Sequence, residues 1–315
     1  MARDPDAPVP RRDLLRVAGI AAVAMALRGP LAACGGAGAS PGPDQDRLAD
    51  WSAELRRARL ARTDAPLGRA ATRVGELAAG TPYEPATLEA YLRSGGDPTA
   101  TEPLTLSLTR FDCVTLVESC LALARAAQRA VHPTWDDFGG AVERMRYRGG
   151  RRGAYASRLH YFSEWISDGE KRGLVRDLGG ELGGISDDRP LRFMTEHRAS
   201  YPALASDAVY ADVAAIERRL DGHPRSVVPR ERLAEVGPQL ETGDVLGFAT
   251  SLPGLDVTHA AFAYRDPGGV LRVLHAPLSG GVVEVTRTTL PEYVAAIRRA
   301  TGVLVARPLW GMATG

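Results

Sequence analysis

The chain has 315 residues, of which 44% are hydrophobic and 24% charged, enough for one large or two small globular domains with a real core. Its formal net charge is +1; residues 1–33 hold five Arg and three Asp, so the remainder carries −1. A near-neutral body excludes any general electrostatic case for nucleic-acid binding, and with Lys171 as the single lysine the chain-wide preference for arginine identifies no site.

The first element is an address. Arg11 and Arg12 precede an apolar run from Val17 to Leu27. At about 1.5 Å per residue this run is too short for a bilayer core of about 30 Å. A charged start, a short apolar region and a small-residue exit describe a signal peptide. The segment Arg11-Arg12-Asp13-Leu14-Leu15-Arg16 resembles a twin-arginine export signal, and "LAAC" (31–34) resembles a lipobox, which implies a lipid on Cys34. Residues 34–46, rich in Gly, Ala, Ser and Pro, read as a flexible tether, and 47–315 as one folded domain.

"GTPY" (80–83) is followed by "FDCVTLVESC" (111–120). From Val114 to Arg129 there is no Gly or Pro, and Val114, Val117, Leu121 and Ala124 recur at helical spacing. Asp112 is a good N-cap for this helix. Cys113 then sits at the helix N-terminus and Cys120 two turns deeper, with Cα atoms about 10 Å apart, beyond the reach of a disulfide. Cys120 reads as a buried apolar cysteine. At Cys113 unpaired N–H groups and the helix dipole are expected to favour the thiolate and to stabilise an oxyanion. On this stretch alone an inert core cysteine remains equally open.

Residues 130–235 are too long for a simple connection and read as a mostly helical insertion. Within it "RMRYRGGRRG" (144–153) is a basic, glycine-broken loop: either a solvated loop or a clamp for the carboxylates of a peptide. Arg158, His160, Tyr161 and Trp165 combine aromatic and polar groups of the kind that hold sugars, although core packing explains Trp165 equally well. "DAVYADVAAIERRL" (207–220) has helical spacing.

The last third changes period. Runs 244–250, 258–264, 270–276, 282–286 and 302–307 are short strands punctuated by Gly, Pro and Asp. A hairpin centred on Pro267 pairs Tyr264 with Val270, and by the same count His259 with His275, on one face of a sheet. Two adjacent imidazoles suit a base and the residue that orients it. A metal site is the rival use, but neither a third histidine nor a carboxylate lies on the same short segment, so no metal or other cofactor is expected. Two unrelated histidines on a wet sheet face also remain open.

A helix-N-terminal cysteine followed by a sheet with paired histidines is the plan of a nucleophile helix packed on an antiparallel sheet. Here the sequence resembles the NlpC-type, papain-like cell-wall hydrolases: "GTPY", "FDCVTLVE", "ETGDVLGF" (241–248) and "HAAFAY…LRVLHA" match their blocks. The resemblance implies an α+β papain-like fold with Cys113 as nucleophile, His259 as base, His275 as the orienting third member, Tyr83 beside the nucleophile and Asp112 shaping the substrate pocket. Val114-Thr115, with Glu118 following, departs from the small residue that the common endopeptidases carry after the cysteine. With "SRLHYFSEWISD" (157–168) and "GLDVTHAAF" (254–262) it is similar to a narrower branch, domain of unknown function 1460, described as N-acetylmuramoyl-L-alanine amidases acting on muropeptides. Glu118, Arg158 and His160 are expected as further substrate contacts, and the branch implies peptidoglycan muropeptides, in particular anhydro-muropeptides, as partners. The expectation is therefore an exported, lipid-anchored amidase on the extracytoplasmic face. An endopeptidase cutting γ-D-glutamyl bonds within the stem peptide and a non-enzymatic cell-wall-binding lipoprotein are the alternatives.

Overall fold

The computed structural model describes residues 42–277 and 281–311. Among them seven helices exceed a single turn: α1 (Pro43–Arg57), α2 (Leu67–Leu77), α3 (Cys113–Arg129), α4 (Trp135–Arg146), α5 (Phe162–Lys171), α6 (Asp207–Leu220) and α7 (Leu290–Ala296). The strands are β1 (Val175–Asp177), β2 (Ile185–Asp187), β3 (Arg225–Pro229), β4 (Val245–Thr250), β5 (Val257–Arg265), β6 (Leu271–His275), β7 (Glu284–Val285) and β8 (Ala300–Pro308). They form one sheet in the order β2-β3-β8-β4-β5-β6-β7, with β1 also paired to β8, and every pairing is antiparallel.

The α+β class with an antiparallel sheet is as expected. The sheet is covered on both faces, which is why all six residues of β4 are buried. One face, through Val245, Ala260, Phe262 and Leu274, packs on α1 to α5. The other, through Leu246, Phe248, Ala261 and Val273, packs on α7 and the short helix Leu233–Val236. Helix α3 lies at the centre of the first core: Leu116, Val117, Cys120, Leu121 and Leu123 have no exposed surface. At roughly 1.5–3 kcal/mol per fully buried aliphatic side chain, this helix is a main source of stability.

Two boundaries differ from the sequence expectation. The tether ends earlier than residue 46, because Pro43 opens α1 and the Asp44 carboxylate accepts a 2.7 Å hydrogen bond from Leu108 N–H. Pro is pre-organised for the first helical turn, where its missing N–H costs nothing. The segment 130–235 is mostly helical but also supplies β1, β2 and β3, short strands that extend the sheet beyond β8. The same segment builds a third apolar cluster around Tyr155, Tyr161, Phe193, Tyr201 and Val213. The expected signal peptide, residues 1–33, and Cys34 lie outside the described residues.

Candidate active site

The site begins at the N-terminus of α3. Asp112 is the N-cap: its Oδ1 accepts from Thr115 N–H at 2.7 Å, while Thr115 Oγ1 accepts from Asp112 N–H at 2.8 Å, a reciprocal capping box. Thr115, one of the residues that departs from the endopeptidase pattern, thus closes the cap. Cys113 is the first residue of the helix, and neither Cys113 nor Cys120 is in a disulfide.

The charge balance at Cys113 runs against the expected thiolate. Burial, and then the Asp112 carboxylate, push the thiol up to about 12; the N–H groups of Ala260, Val114 and Cys113 itself pull the other way and lose. Helix-terminal N–H groups favour an anion, but removing a thiolate from water outweighs them here. Cys113 therefore rests as a neutral thiol, with Ala260 N–H directed at its sulfur.

Ala260 follows His259. The hairpin register is not the one counted from the sequence: Tyr264 faces Arg272 and Phe262 faces Leu274. The turn is centred on Gly268, because Asp266 and Val270 bond to each other and the left-handed residue is Gly269, at φ +81°. Moving the centre by one residue moves every partner by two, which preserves the face. His275 is thus opposite Ala261, and His259 is its diagonal neighbour rather than its direct partner. The β4–β5 ladder also shifts register between Gly247↔Ala260 and Ala249↔Val257, so Thr258 and His259 together oppose Phe248. This bulge bends the strand end and re-aims His259.

The two imidazoles meet edge to face, with ring centres 5.0 Å apart, and His259 Nε2 lies 2.8 Å from His275 Nδ1. Phe248 stacks on His259 at 5.5 Å. Burial, then the neighbouring His275, hold His259 down to about 3, and burial holds His275 down to about 4, so both rest neutral. Tyr293 of α7, which the sequence reading missed, places its hydroxyl 3.2 Å from His275 Nδ1. Its ionisation is opposed first by burial and then by the charge of Cys113, which ties α3, β6 and α7 into one neighbourhood. The capping box Thr289…Glu292 announced the helix that carries it; nothing local announced its contact.

A cavity of about 100 Å³ opens beside Cys113, and all five sequence-predicted substrate residues, Tyr83, Asp112, Glu118, Arg158 and His160, line it. Tyr83 is strapped next to Cys113 by hydrogen bonds of its segment to Phe111 and Gly281. Burial, then the charges of Cys113 and Asp112, keep its phenol protonated. Two of the five are already in ion pairs. Glu118 is 2% exposed and pairs with Arg146 Nε at 2.7 Å; Arg158 pairs with Glu89 at 2.6 Å and approaches Glu102 at 3.6 Å. They form the floor of the cleft rather than free ligands. His160 is half-buried, stacks near Tyr155 at 4.6 Å, shares a 3.0 Å hydrogen bond with Tyr155 O, and is held neutral by burial and then by Arg158.

In the basic loop three arginines are paired with carboxylates of the protein itself. Arg148 pairs with Glu164 and Arg152 with Glu143, while Arg146 is the buried partner of Glu118. Trp165 packs in the core against Phe162. Tyr161 donates to the buried Glu217 at 2.7 Å and helps wall the cleft. Asp256, three residues before His259, accepts from Ser163 N–H at 2.7 Å and Ser163 Oγ at 2.8 Å, capping α5, whose own N-cap residue Tyr161 makes no such bond. Among the described residues no group of three His, Cys, Asp or Glu side chains has the arrangement of a metal site. A larger open hollow of about 680 Å³, lined by Pro66, Arg69, Pro238 and Asp266, contains none of these groups.

A family model, N-acetylmuramoyl-L-alanine amidase-like (AmiA-like), matches residues 73–302, the span that includes all of this machinery. The chain belongs to that family. An N-acetylmuramoyl-L-alanine amidase from Bacteroides uniformis is similar at 29% identity and a TM-score of 0.70, over 77% of this chain and 98% of that one. A Bacteroides fragilis structure provisionally named a xylanase is similar at 33% identity and a TM-score of 0.67, over 74% and 99% of the two chains. A Legionella pneumophila protein that matches domain of unknown function 1460 shares the fold at 17% identity and a TM-score of 0.59, over 84% and 96%. No curated protein is significantly similar to this chain. Membership in the amidase-like family supports a hydrolase of peptidoglycan-related amides.

Proposed function

We propose that this member of the amidase-like family is a papain-like, NlpC-type cysteine hydrolase that cleaves the amide between N-acetylmuramic acid and L-alanine in soluble peptidoglycan fragments. What supports the reading is Cys113 at a helix N-terminus on the cleft, the N–H of Ala260, the residue after His259, among the groups that favour its thiolate, and His259 bonded through Nε2 to His275. With Nε2 engaged, His259 has Nδ1 left to accept the thiol proton.

Because thiol and imidazole both rest neutral, proton transfer accompanies attack and no preformed ion pair is needed. Cys113 sulfur attacks the lactyl carbonyl carbon as His259 takes its proton. N–H groups at the start of α3 stabilise the oxyanion. The intermediate collapses, the C–N bond breaks, and His259 returns the proton to the L-alanine nitrogen. Water, deprotonated by His259, then hydrolyses the thioester and restores the thiol. His275 orients His259 and spreads the positive charge formed on it. Tyr83, Asp112 and His160 meet the substrate, and Glu118 and Arg158 hold the floor on which it rests.

The cleft is walled by the 130–235 segment through Tyr155, Tyr161, Met194 and Tyr201. Such walls favour a short fragment ending in 1,6-anhydro-N-acetylmuramic acid over long glycan strands. Digestion of anhydro-muropeptides followed by mass spectrometry tests this: the product should be the whole stem peptide with a free L-alanine N-terminus, and intact sacculi should be poor substrates. Sugar-linked dipeptides plus a shortened stem would instead mark a γ-D-glutamyl endopeptidase. An unchanged substrate would leave the non-enzymatic wall-binding lipoprotein.

Export and anchoring belong to the same reading. A lipid on Cys34 would leave roughly 30 Å of extended chain before α1 begins at Pro43, which keeps the domain near the bilayer surface. Cys34→Ser should release the protein from membrane fractions.

A further inference from the structure

The proton between the two histidines decides whether the site can work. His259 Nε2 and His275 Nδ1 are 2.8 Å apart, so one proton lies between them. A neutral imidazole carries a single N–H. If the shared proton belongs to His275, the N–H of His259 must be on Nδ1, the one nitrogen left to receive the proton of Cys113, and the base is blocked. If it belongs to His259 Nε2, then Nδ1 is bare and the base is ready. The same choice fixes His275: in the working state its Nδ1 is bare and its N–H is on Nε2.

That Nε2 is buried, with His275 1% exposed, and among the described residues no hydrogen-bond partner reaches it. The Glu284 carboxylate on β7 lies directly across the strand pair from His275, with Oε1 3.9 Å from that nitrogen. Glu284 is about half exposed. A carboxylate beside Nε2 favours an N–H there and disfavours a lone pair. At the other nitrogen the Tyr293 hydroxyl lies 3.2 Å from Nδ1, and the Tyr293 ring packs edge-on against the imidazole at 5.0 Å.

We infer that Glu284 is a positioning residue that selects the Nε2–H tautomer of His275, and through it the Nε2–H tautomer of His259, while Tyr293 holds the His275 ring in place. Glu284 touches neither substrate nor the reacting atoms; it acts through two imidazoles. The kinetic consequence rests on the amidase reading, but the tautomer can be read without any substrate.

The test is long-range 15N–1H NMR of the histidine rings in the full domain, with Glu284→Ala, Glu284→Gln and Tyr293→Phe compared to wild type. Wild type should show His275 protonated at Nε2 and bare at Nδ1, and His259 protonated at Nε2. Glu284→Ala should move His275 toward the Nδ1–H form and lower kcat by about tenfold or more at unchanged KM. Glu284→Gln, whose amide oxygen still accepts, should restore most of both. Tyr293→Phe should leave the tautomer in place and broaden the His275 signals. An Nδ1–H His275 in wild type, or a Glu284→Ala protein with unchanged tautomers, overturns the inference. The expected tautomers in a protein that cleaves no muropeptide would leave it standing and remove the substrate reading instead.

Discussion

Glu118 separates a structural from a substrate-binding account of the cleft. It lies on α3 five residues after Cys113, and its carboxylate meets Arg146 Nε at 2.7 Å with both side chains 2% exposed. Arg146 Nη1 also donates to Thr105 O at 2.7 Å. Removing one partner from such a pair leaves a buried charge uncompensated, which costs about 3–5 kcal/mol. For a domain of this size each kcal/mol shifts Tm by about 2–4 °C, so Glu118→Ala should melt about 6–20 °C lower than wild type. Circular dichroism melts, with KM for a muropeptide measured well below the transition, provide the assay. A double variant, Glu118→Leu with Arg146→Met, should recover part of the loss, because an apolar pair of similar volume removes both charges. Recovery stays incomplete, since Thr105 O loses its donor at a cost of about 1–3 kcal/mol. If Glu118→Ala melts within a degree of wild type while KM rises tenfold, Glu118 is a substrate ligand and the argument from burial is wrong.

Iodoacetamide should modify Cys113 more slowly at neutral pH than an ordinary thiol, with a rate still rising above pH 9, because burial and Asp112 favour the protonated form; a rate already level below pH 6 would reveal a preformed ion pair. Gly247→Ala places a Cβ 2.8 Å from Phe162 Cδ1 and 3.0 Å from Val257 Cγ1. With Phe162 stacked on Trp165, the overpacking should cost about 1–3 kcal/mol and lower kcat by shifting the bulge, and an unchanged melt and rate would contradict this. Asp256→Ala should lose the cap on α5, about 0.5–2 kcal/mol by melting, while Asp256→Asn should keep most of it.

The legible parts of the site were those fixed by short-range chemistry. Asp112 and the Gly-free, Pro-free run after it specified α3 to within a residue, and the spacing of Cys113 and Cys120 on that helix ruled out their disulfide. The strand pattern placed His259 and His275 on one face, and that survived a register error because a shift of the turn centre by one residue moves partners by two. The register itself was not legible: it depends on Asp266 bonding Val270 and on Gly269, not Pro267, taking the left-handed conformation. The bulge at Thr258-His259 was hidden for a similar reason, since an extra residue in a strand has no composition of its own. Strands β1 to β3 are three to five residues long, too short for a period to register. The pairing of Glu118 with Arg146, 28 residues apart, and the approach of Tyr293 to His275 arise only from tertiary packing.

Helix α3 carries Cys113 at its first residue and forms the centre of the larger core through Leu116, Val117 and Leu121. Amides in such a packed element are expected to exchange with solvent only in large-scale openings. The thiol is thus fastened to a deeply packed part of the fold, where fraying of the helix would be a costly way to admit or refuse ligands. Control over entry falls to the surrounding wall, where the Tyr161 hydroxyl is held between Glu217 and Met194 N–H and Tyr201 sits between two single-turn segments. Variation among relatives in what they accept should accumulate in that wall, leaving α3 almost unchanged.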